Sequence, residues 1–299
     1  MTTARLKLAA RALASMGLIA AVVWHFGAGD ILADLRGLSG HWFAMACLAL
    51  ALQIPLSGLR WRVTAQALGL PLPRALALSE YGLSVLVNTF LPGGVLGDLG
   101  RVLRMRHMRS WQMVATTVVI ERLAGQIALA AIAAIGIGLW YGQGVALVML
   151  GAGIGLGGVA YVLGRFVPKL LDTIKRAWFA RQVWPAQLGL SMAILGCNLF
   201  GFWAAARAVG AVIPLELALF ILPVTLMVML IPVSLNGWGL REGAAALLWP
   251  VVGIGAQAAV AASLVFGVAV AAAALLGALP WAVYSWRKRA DGAPPAQEG

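Results

Sequence analysis

Twice in this chain a long apolar run dissolves into proline and glycine and then presents an arginine. The first is Asn88-Thr-Phe-Leu-Pro-Gly-Gly-Val-Leu-Gly-Asp-Leu-Gly-Arg101; the second is Ile231-Pro-Val-Ser-Leu-Asn-Gly-Trp-Gly-Leu-Arg-Glu242. Both read Pro-x4-Gly-x3-Arg, with Pro92, Gly97 and Arg101 matched by Pro232, Gly237 and Arg241. Proline has no N–H and its ring clashes with the preceding helical turn, so an apolar helix stops or kinks there. In lipid, broken backbone is tolerated only where protein or a water-filled cavity satisfies its polar groups. Interrupted apolar segments at corresponding places in two halves point to internal repeats with a binding site between them.

The surroundings are membrane-like. The chain is 62% hydrophobic and 11% charged, with mean hydropathy +0.92, against about 25% charged for a soluble domain. An all-α polytopic integral membrane protein is expected, as a single helical domain over residues 1–289 with a disordered tail at 290–299. The net charge of +12 sits in short segments between apolar runs. It therefore reads as orientation and contact with anionic lipid, and not as nucleic-acid binding. Cys47 and Cys197 lie in apolar runs at no metal or disulfide spacing.

Runs at about residues 8–26, 42–59, 113–140, 145–164, 185–206 and 256–286 are long enough to cross. The first reads as a signal-anchor helix. The glycines between 151 and 158 suit close helix contact. Arginines and lysines at 60–74, 165–181 and 287–289 place those segments, and both termini, on the cytoplasmic side of a bacterial inner membrane. Trp178 and Trp184 lay the 165–184 loop on the inner leaflet. A full crossing at 75–91 would strand Arg101, Arg104, Arg106 and Arg109 outside. A re-entrant hairpin from the cytoplasm avoids this. Parity then makes residues 215–255 a second hairpin from the other face, or two short spans. The expected architecture is about six full spans plus two re-entrant hairpins as inverted repeats.

Candidate site residues follow from charge in the wrong solvent. Glu121 and Arg122 lie inside the 113–140 span, where a central charge costs about 2.5–3.5 kcal/mol. Neighbours on a helix point about 100° apart, so each needs a partner elsewhere. They form either a polar cavity wall or an ion pair with an arginine of a broken hairpin. Arg101 and Arg241 offer planar forks for phosphate or carboxylate. The alternatives are snorkelling for Arg101, and a salt bridge with Glu242 or Glu121 for Arg241. Asp98 and Glu242 are counter-charges or proton-coupled carboxylates, although Asp98 equally suits a helix cap. Asn88 and Glu80 line the cavity or bond across helices. Asn236 serves the turn as readily as a ligand. Trp238 sits inside the second break, where it could gate the site. No nucleophile motif, nucleotide loop or metal cluster is present, so no cofactor is expected.

Four stretches together resemble a known family: the two breaks, Glu121-Arg-Leu-Ala-Gly125, and the pattern ending Leu59-Arg60-Trp61. The sequence is similar to the flippase-like family built on the transmembrane region of lysyl-phosphatidylglycerol synthases, the multiple peptide resistance factors. The resemblance covers about residues 5–288. It implies re-entrant hairpins around a central cavity and movement of a charged phospholipid between leaflets. It implies Asp98, Arg101, Glu121, Arg122, Arg241 and Glu242 as cavity residues. Without a soluble aminoacyl-transferring domain in this sequence, it favours lipid movement over lysyl transfer. Relatives standing alone are associated with isoprenoid-linked sugars and hopanoids. The expected function is a translocase for an anionic or phosphate-bearing lipid, with membrane lipids as partners. The rivals are a membrane enzyme using Glu121 or Glu242 as general base, and an accessory subunit.

Overall fold

The computed structural model describes residues 35–91, 94–106, 108–142, 144–145, 172–230 and 237–291, with single positions between 17 and 31. Among them the chain is helical, with no strand. The helices are α1 (Gly40–Ala67), α2 (Arg74–Phe90), α3 (Leu96–Met105), α4 (Trp111–Tyr141), α5 (Trp184–Ala208), α6 (Leu215–Met227), α7 (Leu240–Leu248), α8 (Ala256–Gly277) and α9 (Leu279–Asp291). Four stretches are long and apolar enough to cross a membrane: Gly40–Ala67, Trp111–Tyr141, Trp184–Ala208 and Ala256–Trp286. They match four of the six expected spans. The other two, at 8–26 and 145–164, lie outside the described residues save for isolated positions, as does the 290–299 tail save for its first two residues.

The first break behaves as its sequence requires. Helix α2 ends at Phe90, Leu91 is extended, and α3 starts at Leu96 running back along α2. The N–H of Gly97 donates to Asn88 Oδ1 at 2.7 Å, satisfying one of the free donors of a new helix. Gly97 is needed for the approach itself, because a Cβ there would lie 2.1 Å from the Ser84 carbonyl oxygen. At the second break α6 tightens into a 3-10 turn at Val228–Leu230 before α7 begins. Gly237 and Gly239 carry φ of 81° and 84°, where only glycine is unstrained. The Gly239 N–H donates to Glu242 Oε2 at 2.6 Å, capping α7. Pro232 and Asn236 lie outside the described residues.

A long helix, a broken pair and another long helix thus occur twice: α1, α2/α3, α4 and then α5, α6/α7, α8. The halves interlock reciprocally. Helix α4 packs on α6, and α8 packs on α2. Each crossing is tight enough to exclude a side chain. A Cβ on Gly136 of α4 would lie 2.1 Å from the Leu219 carbonyl oxygen of α6. A Cβ on Gly82 of α2 would lie 1.9 Å from the Gly277 carbonyl oxygen of α8. Gly136 follows Arg101 at nearly the distance at which Gly277 follows Arg241. The repeat therefore extends from the two breaks into the helix crossings.

Helix α1 joins two separate cores. Its first half supplies Ala46, Leu50 and Ile54 to a cluster with Phe202, Trp249 and Phe266. Its second half supplies Trp61 and Ala65 to a cluster with Val102, Met105 and Val118. At about 1.5 Å per residue, 28 residues span roughly 42 Å, so the two broken pairs sit toward opposite ends of this helix. The exterior is apolar, with Leu48, Ile135, Leu139 and Leu275 all exposed. The interior holds Arg60, Arg101, Glu121, Arg241 and Glu242. Charge inside and apolar surface outside invert the pattern of a soluble domain.

Gly136→Leu should force α4 and α6 apart and cost at least the 1–3 kcal/mol typical of overpacking. Size-exclusion profiles of the purified protein should show loss of most monodisperse material. Gly189→Leu, where nothing lies within 4 Å of the added Cβ, should purify normally.

Candidate functional site

Three contiguous hollows lie among α1, α2, α4, α5 and α8, with volumes of about 330, 180 and 180 Å³. Gln53 of α1, Tyr81 of α2 and Asn198 of α5 line all three. The lining grades from charged to apolar. The largest has Arg60, Asp98, Glu121 and Arg122; the next has Ser57, Arg60 and Ser191; the last adds Leu50, Met229, Phe266 and Val270. A fourth cavity, of about 420 Å³ between α5 and α6, is bigger but lined only by apolar residues and glycine, including Leu199, Phe200 and Leu219.

Two ionic clusters border the charged end. In one, Arg60 Nη2 meets Glu121 Oε1 at 2.8 Å, with both side chains at least 96% buried. The Tyr81 hydroxyl donates to the same oxygen at 3.3 Å, and Arg60 Nη1 donates to Ser191 Oγ at 3.2 Å. In the other, Asp98 is shared. Its Oδ1 accepts from Arg101 Nη2 at 2.9 Å and from Ser84 Oγ at 2.8 Å. Its Oδ2 pairs with Arg122 and accepts a longer bond from Asn88 Nδ2, 3.4 Å. Arg122 also donates to the Gly94 carbonyl at 2.8 Å. One side chain of α4 thus holds both the carboxylate of the broken pair and its turn. Arg122 is 39% exposed, and Gln126 beside it is exposed, so this end is the mouth.

Several expectations need correcting. Glu121 does not pair with an arginine of a broken hairpin. Its partner is Arg60, read from the sequence as a cytoplasmic loop residue. The reason is that α1 does not stop at Leu59 but runs to Ala67, turning Arg60 inward. Asp98 does not cap α3; the residue preceding that helix is Val95, and Asp98 lies in its first turn bonded across the hairpin. Arg101 does not snorkel but is fully buried. Arg104 pairs with Glu80 at 2.8 Å.

Nor do Arg101 and Arg241 line these hollows. Each instead backs an aromatic ring that does. The Arg101 guanidinium lies 4.9 Å from the Tyr81 ring centroid and 4.2 Å from that of Trp61. The Arg241 guanidinium lies 5.1 Å from the Phe266 ring and 5.2 Å from Trp238. Arg241 pairs with Glu242 at 2.6 Å, as one sequence reading had it, and Nε donates to Ser263 Oγ at 2.8 Å. Trp238 therefore stacks on a cation. Asn236 lies outside the described residues, so its expected role is not placed.

Sequence reasoning missed Arg60, Tyr81 and Asn198 as site residues, and noted Gln53 only as a polar residue in a span. The signal for Arg60 was the return of apolar residues at Trp61, Val63, Ala65 and Ala67 with no proline or glycine to stop the helix before Gly69.

The long apolar helices, the apolar exterior and the buried charges define an all-helical polytopic membrane protein. Residues 8–278 match the family described as Lysylphosphatidylglycerol synthase TM region, and the chain belongs to that family. No curated protein and no solved structure matches it. The family ties this membrane protein to lipid handling.

Proposed function

We propose that the protein is a lipid translocase, moving a phosphate-bearing head group through the central hollow while the acyl tails stay in the bilayer. The observation that carries this reading is the graded polar hollow at the centre of an apolar bundle, with a partly exposed arginine at its mouth tied to a broken hairpin. Charges in such a place are expensive to bury and mark a substrate path by default. The phosphate meets Arg122 first, with Arg60 behind it. Arg101 and Arg241 stand one ring away, each giving positive charge to an aromatic wall.

The topology we propose is six crossings and two re-entrant hairpins as inverted repeats, with both termini cytoplasmic in a bacterial inner membrane. Helices α6 and α7 have 13 and 9 residues, roughly 20 and 14 Å. Each falls short of the roughly 30 Å apolar thickness, which favours a hairpin over two spans at 215–255. Opening and closing follow from rocking of the broken pairs, with the Asp98–Arg122 pair as the latch.

Glu121 and Glu242 are both engaged, the first by Arg60 and Tyr81 and the second by Arg241, Ser263 and the Gly239 N–H. A general base would need a free lone pair directed at substrate; Glu242 has both oxygens bonded, which weighs against it in that role, whereas Glu121 is held through Oε1 alone. Purified protein in liposomes, with lipid extracted and weighed by mass spectrometry, separates transport from head-group chemistry. Transport predicts unchanged lipid masses and faster exchange between leaflets; a shifted head-group mass would replace it with the enzyme reading.

A further inference from the structure

The hollow carries information about which head group it takes. Its charged wall is lined by Arg60, Arg122, Asp98 and Glu121, and Arg101, behind the Tyr81 ring, bonds to the same Asp98, so the ionic cluster as a whole holds three arginines and two carboxylates. Glu80 is already matched by Arg104. The cluster is left one positive charge in excess, and neither carboxylate lacks an arginine. Deeper in, the lining is uncharged and hydrogen-bonding: Gln53, Ser57, Ser191, Asn198 and the Tyr81 hydroxyl. Two groups there have no partner among the described residues. Asn198 Oδ1 and Arg60 Nε are both buried and unbonded, and Arg60 as a whole is 96% buried. Buried polar atoms without a partner are rare, and each calls for an explanation such as a ligand.

We infer that this site selects a head group with a single negative phosphodiester followed by a hydroxyl-bearing, uncharged moiety, and rejects head groups that carry an amine. The phosphate stays at the mouth, at Arg122. The hydroxylated end reaches Gln53 and Asn198, whose amides donate to and accept from hydroxyls alike. An ammonium inserted there would face a site with net positive charge and no spare carboxylate. Like charges brought together in a desolvated site are strongly disfavoured. The aminoacylated lipid that the family description evokes is thus the wrong cargo for this chain. The inference deepens the translocase reading and rests on it for the presence of a lipid in the hollow. It is therefore tested by binding, which can succeed or fail independently of transport.

The experiment offers purified full-length protein equal amounts of phosphatidylglycerol, phosphatidic acid, lysyl-phosphatidylglycerol and a polyprenyl-phosphate-linked hexose in mixed micelles. Retained lipid is counted by native mass spectrometry. Phosphatidylglycerol or the hexose-bearing lipid should exceed lysyl-phosphatidylglycerol by about tenfold or more, a 1.4 kcal/mol preference by the ordinary affinity relation. Whichever of the two is retained more identifies the source of the hydroxyls. Gln53→Leu and Asn198→Leu should bring the hydroxylated lipids down to the level of phosphatidic acid. Gln53→Glu, which supplies the missing carboxylate, should raise lysyl-phosphatidylglycerol above phosphatidylglycerol. Thermal unfolding of each variant identifies any that fails to fold, and Gln53→Glu keeps the side-chain volume as the safeguard. Wild-type protein that retains lysyl-phosphatidylglycerol as well as phosphatidylglycerol would overturn the inference, as would an unchanged ranking in folded Gln53→Glu. Selective binding without transport would instead sink the translocase reading and leave the selectivity standing.

Discussion

Arg60→Ala should be among the most destabilising single changes in this protein, costing about 3–5 kcal/mol, because it strands the buried Glu121 carboxylate without its cation. The Glu121→Ala variant should lose a similar amount by stranding Arg60. The double variant should be markedly less damaged than the sum of the two, since removing both charges leaves neither uncompensated. Thermal unfolding of the three variants in detergent closes the cycle. The Tyr81 hydroxyl and Ser191 keep some bonding for whichever partner remains, so the singles should fall at the lower end of that range. Strictly additive losses would show that the Arg60–Glu121 contact of 2.8 Å contributes nothing of its own.

The second large effect belongs to Asp98. Its two oxygens hold Arg101, Arg122, Ser84 and Asn88 together. Asp98→Ala removes the only carboxylate that Arg101 contacts among the described residues, and Arg101 is fully buried. Uncompensated charge of this kind costs about 3–5 kcal/mol. The loss should be local first. With Arg122 released from Asp98, the α2–α3 pair keeps, among the described residues, the Asn88–Gly97 and Arg122–Gly94 bonds near its turn and the Arg104–Glu80 pair at its other end. Hydrogen exchange should therefore speed up across Leu96–Met105 by more than tenfold while the α1–α5 packing stays protected. Asp98→Asn should fall between, since the amide fills the space and can accept one bond but carries no charge. Uniform acceleration throughout the chain would mean that Asp98 supports the whole fold and not the latch.

Much of the scaffold was legible in the sequence because the bilayer leaves few options. Apolar length alone placed the helices at 111–141, 184–208 and 256–286 to within two residues of their ends, and the start of the one at 40–67, whose end it set eight residues early. Pro92 and Gly97 placed the first break, and Gly237 the second. The Arg241–Glu242 pair was legible as well, because the partners are adjacent. What stayed hidden depends on contacts between distant segments. The rule that a span ends at its first charge put Arg60 in water, whereas α1 continues and a carboxylate 61 residues away receives it. Symmetry of sequence also suggested that Arg101 and Arg241 meet substrate. Their surroundings show each behind a ring, with Arg122, a residue outside either break, nearer the opening. Gln53 and Asn198 gave no signal, since a lone amide in an apolar span most often bonds across helices.

The most direct test concerns Arg122, which is exposed enough to be replaced without stranding a buried charge. Vesicles containing wild-type protein or Arg122→Gln are loaded with fluorescent phosphatidylglycerol, and dithionite reports how fast label moves from the inner to the outer leaflet. Expected is wild-type exchange well above that of protein-free vesicles, falling to the protein-free rate in Arg122→Gln, with both proteins monodisperse. Wild-type vesicles no faster than empty ones, or Arg122→Gln as fast as wild type, would contradict a head-group path past the Asp98–Arg122 latch.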